Sequence, residues 1–204
     1  LVIAYDGAPF CGWLVQNNAT SVQVVLCQAL EKMLGIYTPL PGSGRTDAGV
    51  HALGQVAHFK VHKEINPHTF LKGLNALTPD EISILSVEKV EDDFHARYSA
   101  KGKIYRYSIC PHPIQIPFRK RYALHFPFGL DKALMKQALL SFVGTHDFCS
   151  LANKHGSTKD SIRTIFRADF IEDIEEWHLE FEGNGFLYKM VRNMVGMVLE
   201  VGMK

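Results

Sequence analysis

The chain has 204 residues, 47% hydrophobic, 21% charged and 11% aromatic, a globular composition suited to one large domain or two small ones. A formal net charge of +1 is not the strongly basic balance of many nucleic-acid binders, although a near-neutral sum can hide a basic stripe. No apolar run is long enough for a membrane helix, and four scattered cysteines without a CxxC pair argue against a disulfide scaffold and for a reducing, cytoplasmic setting.

The opening LVIAYDGAPF has neither an initiator Met nor a basic leader, so it reads as a start inside a longer chain. Residues 1–5 read as a strand. TSVQVVLCQALEKML follows as a helix, with Thr20 as N-cap and Gln23 as its capping-box partner. IYTPLPGSGRT is expected as a short edge strand or an extended loop, because Pro39 and Pro41 cannot donate to a ladder. GQVAHFKV makes a firmer strand, with Val56, His58 and Lys60 opposite Gln55, Ala57 and Phe59. NPHTFLKGLNAL then reads as a helix capped by Asn66 with Pro67 at its first position, and EISILSVEKV as a strand. This β-α-β-β-α-β order is the split ferredoxin-like motif.

A similar order begins again. AKGKIYRYSIC is a strand, DKALMKQALLSFV a helix stopped by Gly144, and SIRTIFRADFIE a strand. EWHLEFEG alternates Trp177, Leu179 and Phe181 with His178, Glu180 and Glu182, and LYKMVRNMVGMVLEVG closes as a helix. The expected fold class is therefore α+β. Two fused ferredoxin-like units, residues 1–99 and 100–204, share a mixed, mostly antiparallel sheet, with helices on one face and a cleft between the units. The second unit stops one strand short, so the natural chain is expected to continue past Lys204.

Ten histidines form no HxxxH or HExxH cluster, and the Cys and His spacings match no zinc template, CPHP being the nearest approach. The site-like residues are of other kinds. Gly44-Arg45-Thr46-Asp47-Ala48-Gly49 sets a charged pair on a glycine-rich corner between two extended segments, where the glycines allow unusual backbone angles and close approach of a ligand. An Asp in such a corner serves either as a turn former or as a functional carboxylate. On the last helix, Lys189, Arg192, Asn193 and Gly196 share one stripe, and Met190, Val191, Met194, Val195 and Val198 fill the broader apolar side. Arg192, at the border, is expected half-buried and in need of a carboxylate: a surface glutamate or Asp47. Tyr105 and Tyr107 alternate along KIYRYSI, as core packing or as rings that stack on a base.

The blocks AYDGAPFCGW, GRTDAGVHALGQVAHF, LNALTPDEI, FHARYSAKGKIYRY, GTHDF, RTI and YKMVRNMVGMVLEVG resemble, in order, those of the tRNA pseudouridine synthase A family. They span nearly the whole chain, and GRTDAGVHA is the most specific. The resemblance implies an isomerase that converts uridine to pseudouridine in the anticodon stem-loop of tRNA, at tRNA positions 38, 39 and 40, without metal or organic cofactor. It implies that Asp47 is the catalytic residue and that Arg45 helps extrude the nucleotide and holds its phosphate. Tyr105 would pack against the uracil and Arg192 would pair with the Asp47 carboxylate, keeping it ionised.

The family acts as a homodimer that binds tRNA jointly, which makes the near-neutral charge tolerable. Lys101, Lys103, Arg106, Arg119, Lys120 and Arg121 are the candidate phosphate contacts. Members of the family continue for several dozen residues beyond MVRNMVGMVLEVG, Leu14 and Val15 stand where polar residues are usual, and FCSLANKHGSTKD matches loosely. Two rival readings are a tRNA-binding or chaperone protein without catalysis, and a glycoside hydrolase. The second needs a second acid, for which Glu182 and Asp160 are the distant candidates.

Overall fold

The computed structural model describes residues 1–16, 18–153 and 160–203; the loosely matched block 148–160 lies partly outside them. Two compact units divide the chain, Leu1–Ala100 and Lys101–Lys204. Both are α+β. Their strands pair in two sheets, of three and five strands, where the sequence anticipates one shared sheet: the described ladders close within each unit.

In the first unit, strand β1 (Val2–Tyr5) lies between β2 (Ala52–Val56) and β3 (Ile82–Ser86) and is antiparallel to both. Helices α1 (Val22–Leu34) and α2 (Pro67–Leu77) supply the other half of the core. Ile3, Ile82 and Ile84 of the sheet share one buried cluster with Leu26 and Leu30 of α1 and Phe70 and Leu74 of α2. That is the outcome of period-2 and period-3.6 patterns turned toward each other.

Asn66 caps α2 as expected, accepting the Thr69 N–H at 3.1 Å, with Pro67 in the first turn. The cap of α1 is Ser21, not Thr20: the Ser21 hydroxyl accepts from Val24 N–H. With the start one residue later, Gln23 moves from the third helical position to the second and cannot reach back to the cap. Its amide instead donates to Leu40 O at 2.9 Å and accepts from Val15 N–H at 3.1 Å. The proline-rich segment makes a single antiparallel bridge, Gly42 to Ala57, flanked by Ser43 N–H to Val56 O and His58 N–H to Pro41 O. Pro39 and Pro41 have no N–H to extend it.

In the second unit, β4 (Lys103–Cys110), β5 (Leu124–His125), β6 (Gly144–Asp147), β7 (Ile162–Glu172) and β8 (Trp177–Gly183) form a sheet of order β5-β4-β8-β7-β6. All its pairings are antiparallel except the short β4–β5 contact. The core packs Leu179, Phe181, Ile109 and Ile165 against Met135 and Leu139 of helix α3 (Lys132–Leu140) and Met190, Met194 and Val198 of helix α4 (Met190–Gly202). Strands β5 and β6 have no alternating pattern to announce them. Helix α3 ends at Leu140 rather than running to Gly144, whose φ of +116° instead opens β6.

The second face of β8 departs from the simple expectation of polar residues in solvent. His178 and Glu180 are only 7% and 9% exposed. Both are paired, as buried polar groups must be: Glu180 meets Arg106 at 2.6 Å, and His178 bridges Ser108 at 2.9 Å and Asp173 at 3.0 Å.

Candidate functional site

The corner that carries Asp47 is built by the residues around it. Gln55, buried on β2, accepts the Ser43 hydroxyl at 2.8 Å and donates to Gly44 O at 2.8 Å, fixing the way into the loop. Thr46 O accepts Trp13 N–H at 3.1 Å, and the Thr46 hydroxyl lies 2.9 Å from that of Tyr5, the last residue of β1. Beyond Asp47, Val50 N–H returns to Asp47 O at 3.1 Å and Gly49 N–H donates to Phe10 O at 3.2 Å. His51 Nδ1 accepts Gly7 N–H at 3.1 Å and stands 3.0 Å from Asp6 Oδ1.

Two glycines make these contacts possible. A Cβ on Gly12, whose φ is +87°, would lie 2.3 Å from Thr46 O; one on Gly7 would lie 2.0 Å from Val50 O. The segment 7–13 is thus a floor on which the loop 44–50 rests, backbone on backbone. Asp47 is half-buried there and Arg45 is exposed. These two expected residues lie on one loop, which offers a carboxylate on a fixed support and an exposed arginine two residues before it in the chain.

Tyr105 and Arg192 belong to the other unit. Tyr105 sits on β4 opposite Phe181, partly buried against the core, its ring edge-on to Phe186 at 4.9 Å. Arg192 is exposed on α4, not half-buried. The apolar side of that helix is filled by Met190, Val191, Met194, Val195 and Val198, as the pattern requires, and the arginine falls outside it. Lys189 leaves the expected stripe as well. It is the N-cap, with φ +59°, and no side-chain cap bond is made there. Asn193 donates to Leu151 O at 2.7 Å.

Of the candidate phosphate contacts, Arg106 is tied to Glu180, and Arg119 stands 3.1 Å from Glu175 and 3.2 Å from Glu176. Their charge is therefore already matched. Lys101 and Lys120 are exposed. The two distant acids are also engaged, Glu182 by Arg167 at 3.3 Å and Asp160 by Ile162 N–H at 2.9 Å. Among the described residues no three His, Cys, Asp or Glu side chains converge as a metal site would require, and no helix is long and apolar enough to cross a membrane. The apolar groove between α3 and α4, lined by Leu134, Ala138, Met197 and Val201, holds none of the candidate residues.

The supporting residues Tyr5, Gly7, Gly12, Trp13 and Gln55 are missed by sequence reasoning. The one available signal is the pair of glycines five apart in AYDGAPFCGW, and nothing local says what they make room for.

A family model described as tRNA pseudouridine synthase matches residues 1–99 and 138–204. The chain is 45% identical over 203 residues to the tRNA pseudouridine synthase A of Listeria innocua, covering 98% of this chain and 82% of that protein. It is 47% identical over 205 residues to the Lacticaseibacillus casei protein of the same name, covering 99% and 83%. The Latilactobacillus sakei protein of that name is 43% identical over 205 residues, covering 99% and 82%.

Proposed function

The chain belongs to the tRNA pseudouridine synthase A family, and we propose that it isomerises uridine to pseudouridine in tRNA with Asp47 as the catalytic residue. The observation that carries this reading is the Arg45-Thr46-Asp47 corner, held from both sides by backbone hydrogen bonds and floored by Gly7 and Gly12. In the reaction the bond from uracil N1 to the sugar breaks, the ring turns, and a bond from C5 to the sugar forms. The C5 hydrogen leaves as a proton and N1 gains one. The base must first leave the helical stack. A fixed carboxylate serves such chemistry as nucleophile or as base.

The finer assignments follow the family resemblance. The target is the anticodon stem-loop, at tRNA positions 38, 39 and 40. Arg45 holds the phosphate of the extruded nucleotide, Tyr105 packs on the uracil, and Arg192 is the cationic partner that the family resemblance assigns to the carboxylate. Each unit reads as a split ferredoxin-like motif. The order β1, β2, bridge segment in the first unit matches β4, β8, β7 in the second, so the first, third and second strands of each motif are neighbours. The enzyme works as a homodimer without metal or organic cofactor, in the cytoplasm, and its four free thiols suit a reducing compartment.

The test is tritium release from unmodified tRNA labelled at uridine C5, comparing the parent with Asp47→Asn. Release by the parent and none by the variant is expected. Equal release by both sinks Asp47 as the catalytic group, and tRNA binding without release by the parent would favour the non-catalytic alternative.

A further inference from the structure

We infer that Thr46 and Tyr5 are positioning residues for the reaction, a hydroxyl pair that sets the direction of the Asp47 side chain. The inference rests on the catalytic role proposed for Asp47. Tyr5 is 4% exposed at the end of β1, its ring 6.2 Å from that of Trp13, so its hydroxyl is fixed by the core. That hydroxyl lies 2.9 Å from Thr46 Oγ1. The carbonyl of Thr46 is separately fixed, accepting Trp13 N–H at 3.1 Å above a glycine whose Cβ would come within 2.3 Å of it.

Thr46 is therefore held at its side chain and at its carbonyl together. The carbonyl belongs to the planar peptide that ends on the Asp47 Cα, so fixing that plane fixes where Asp47 starts, and the Val50 N–H bond to Asp47 O at 3.1 Å restrains the rotation that then aims its Cβ. A side chain and a carbonyl bound to different elements, β1 and segment 12–13, leave the plane no axis about which to swing. Thr46 gains nothing from burial that a valine would not give. What distinguishes it is the hydroxyl, and a buried hydroxyl is costly unless it is bonded. A reacting group displaced by about 1 Å loses on the order of a hundredfold in rate, so a device of this kind shows in turnover rather than in tRNA affinity.

The experiment is a double-mutant cycle on single-turnover tritium release, with enzyme saturating and in excess. Under those conditions the rate constant does not depend on the fraction of enzyme that is folded. Tyr5→Phe and Thr46→Val are each expected to slow the step about tenfold or more, the double variant no further than the slower single, with tRNA affinity unchanged. Thr46→Ser, which keeps the hydroxyl, is expected to retain the parental rate. Losses that multiply, losses confined to tRNA affinity, or a serine variant as slow as the valine one overturn the inference. Asp47→Asn in the same assay separates the two ideas. If it is silent while Tyr5→Phe and Thr46→Val react at the parental rate, only the positioning role fails. If it reacts like the parent, the catalytic role of Asp47 fails and the positioning role with it.

Discussion

The loop around Asp47 and the helix around Arg192 are held by opposite means. Residues 44–50 have no repeating hydrogen bonds. They are fixed one contact at a time, by Trp13 N–H, Phe10 O, Gln55, the Tyr5 hydroxyl and two glycines that leave room for carbonyls. Helix α4 is fixed by its own ladder and by one face of Met and Val in the core. The difference teaches where each is vulnerable. A loop built from single contacts fails when one atom is added in the wrong place, whereas a helix built from a repeat absorbs small changes on its exposed side.

The two glycines at the extremes of this contrast supply its sharpest test. Gly12→Ala adds a Cβ at 2.3 Å from Thr46 O and 3.0 Å from the Asp47 carbonyl carbon, in a left-handed backbone. Because the obstacle is backbone, the loop must shift, and turnover is expected to fall by about a hundredfold; steady-state tritium release checks it. Parental turnover in that variant would break the picture of a rigid floor. On α4, Gly196 is exposed, helical, and would place its Cβ in open space. Gly196→Ala is expected to raise stability by about 0.5–1 kcal/mol, since alanine loses less backbone entropy on folding. A thermal or urea unfolding curve shows whether it does.

The smallest effect concerns the imidazoles that tie irregular backbone in the first unit. His58 Nδ1 accepts Ala96 N–H at 3.2 Å, a role open only to the neutral ring. Burial first, and then the neighbouring His95, hold the His58 pKa below the ordinary histidine value. The unfolded chain then takes up the proton before the folded one. The contribution of this tie is intact above about pH 6.5 and is lost as the pH falls through that value toward the folded pKa. Melting temperature measured between about pH 7.5 and 5 is expected to fall more steeply for the parent than for His58→Gln. Equal slopes would remove the imidazole from the account.

Legibility in the sequence follows the same divide. Each long element shows in its period: Val22, Leu26 and Leu30 for α1, Met190, Met194 and Val198 for α4, Leu179 and Phe181 for β8. The caps Asn66 and Ser21 are local chemistry, and the second is displaced by one residue because Thr20 and Ser21 compete for one role. Strands β5 and β6 could not be read, being two and four residues long and held by their neighbours' ladders. Buried Glu180 and His178 were invisible for a related reason. An alternating strand assigns them to the second face, but their burial depends on Arg106, Ser108 and Asp173 arriving from elsewhere in the chain.

By itself the sequence determined the class of fold and, through blocks such as GRTDAGVHA, the family, and it singled out Asp47 as the residue proposed to carry the chemistry. Periodicity and capping act over a few residues, so they survive being read one window at a time. Only the tertiary structure decided how that residue is held. Tyr5 and Thr46 are 41 positions apart, and the room that Gly12 leaves has meaning only once a carbonyl from the other segment occupies it. Contacts between irregular segments obey no period, and it is close packing in three dimensions that selects them.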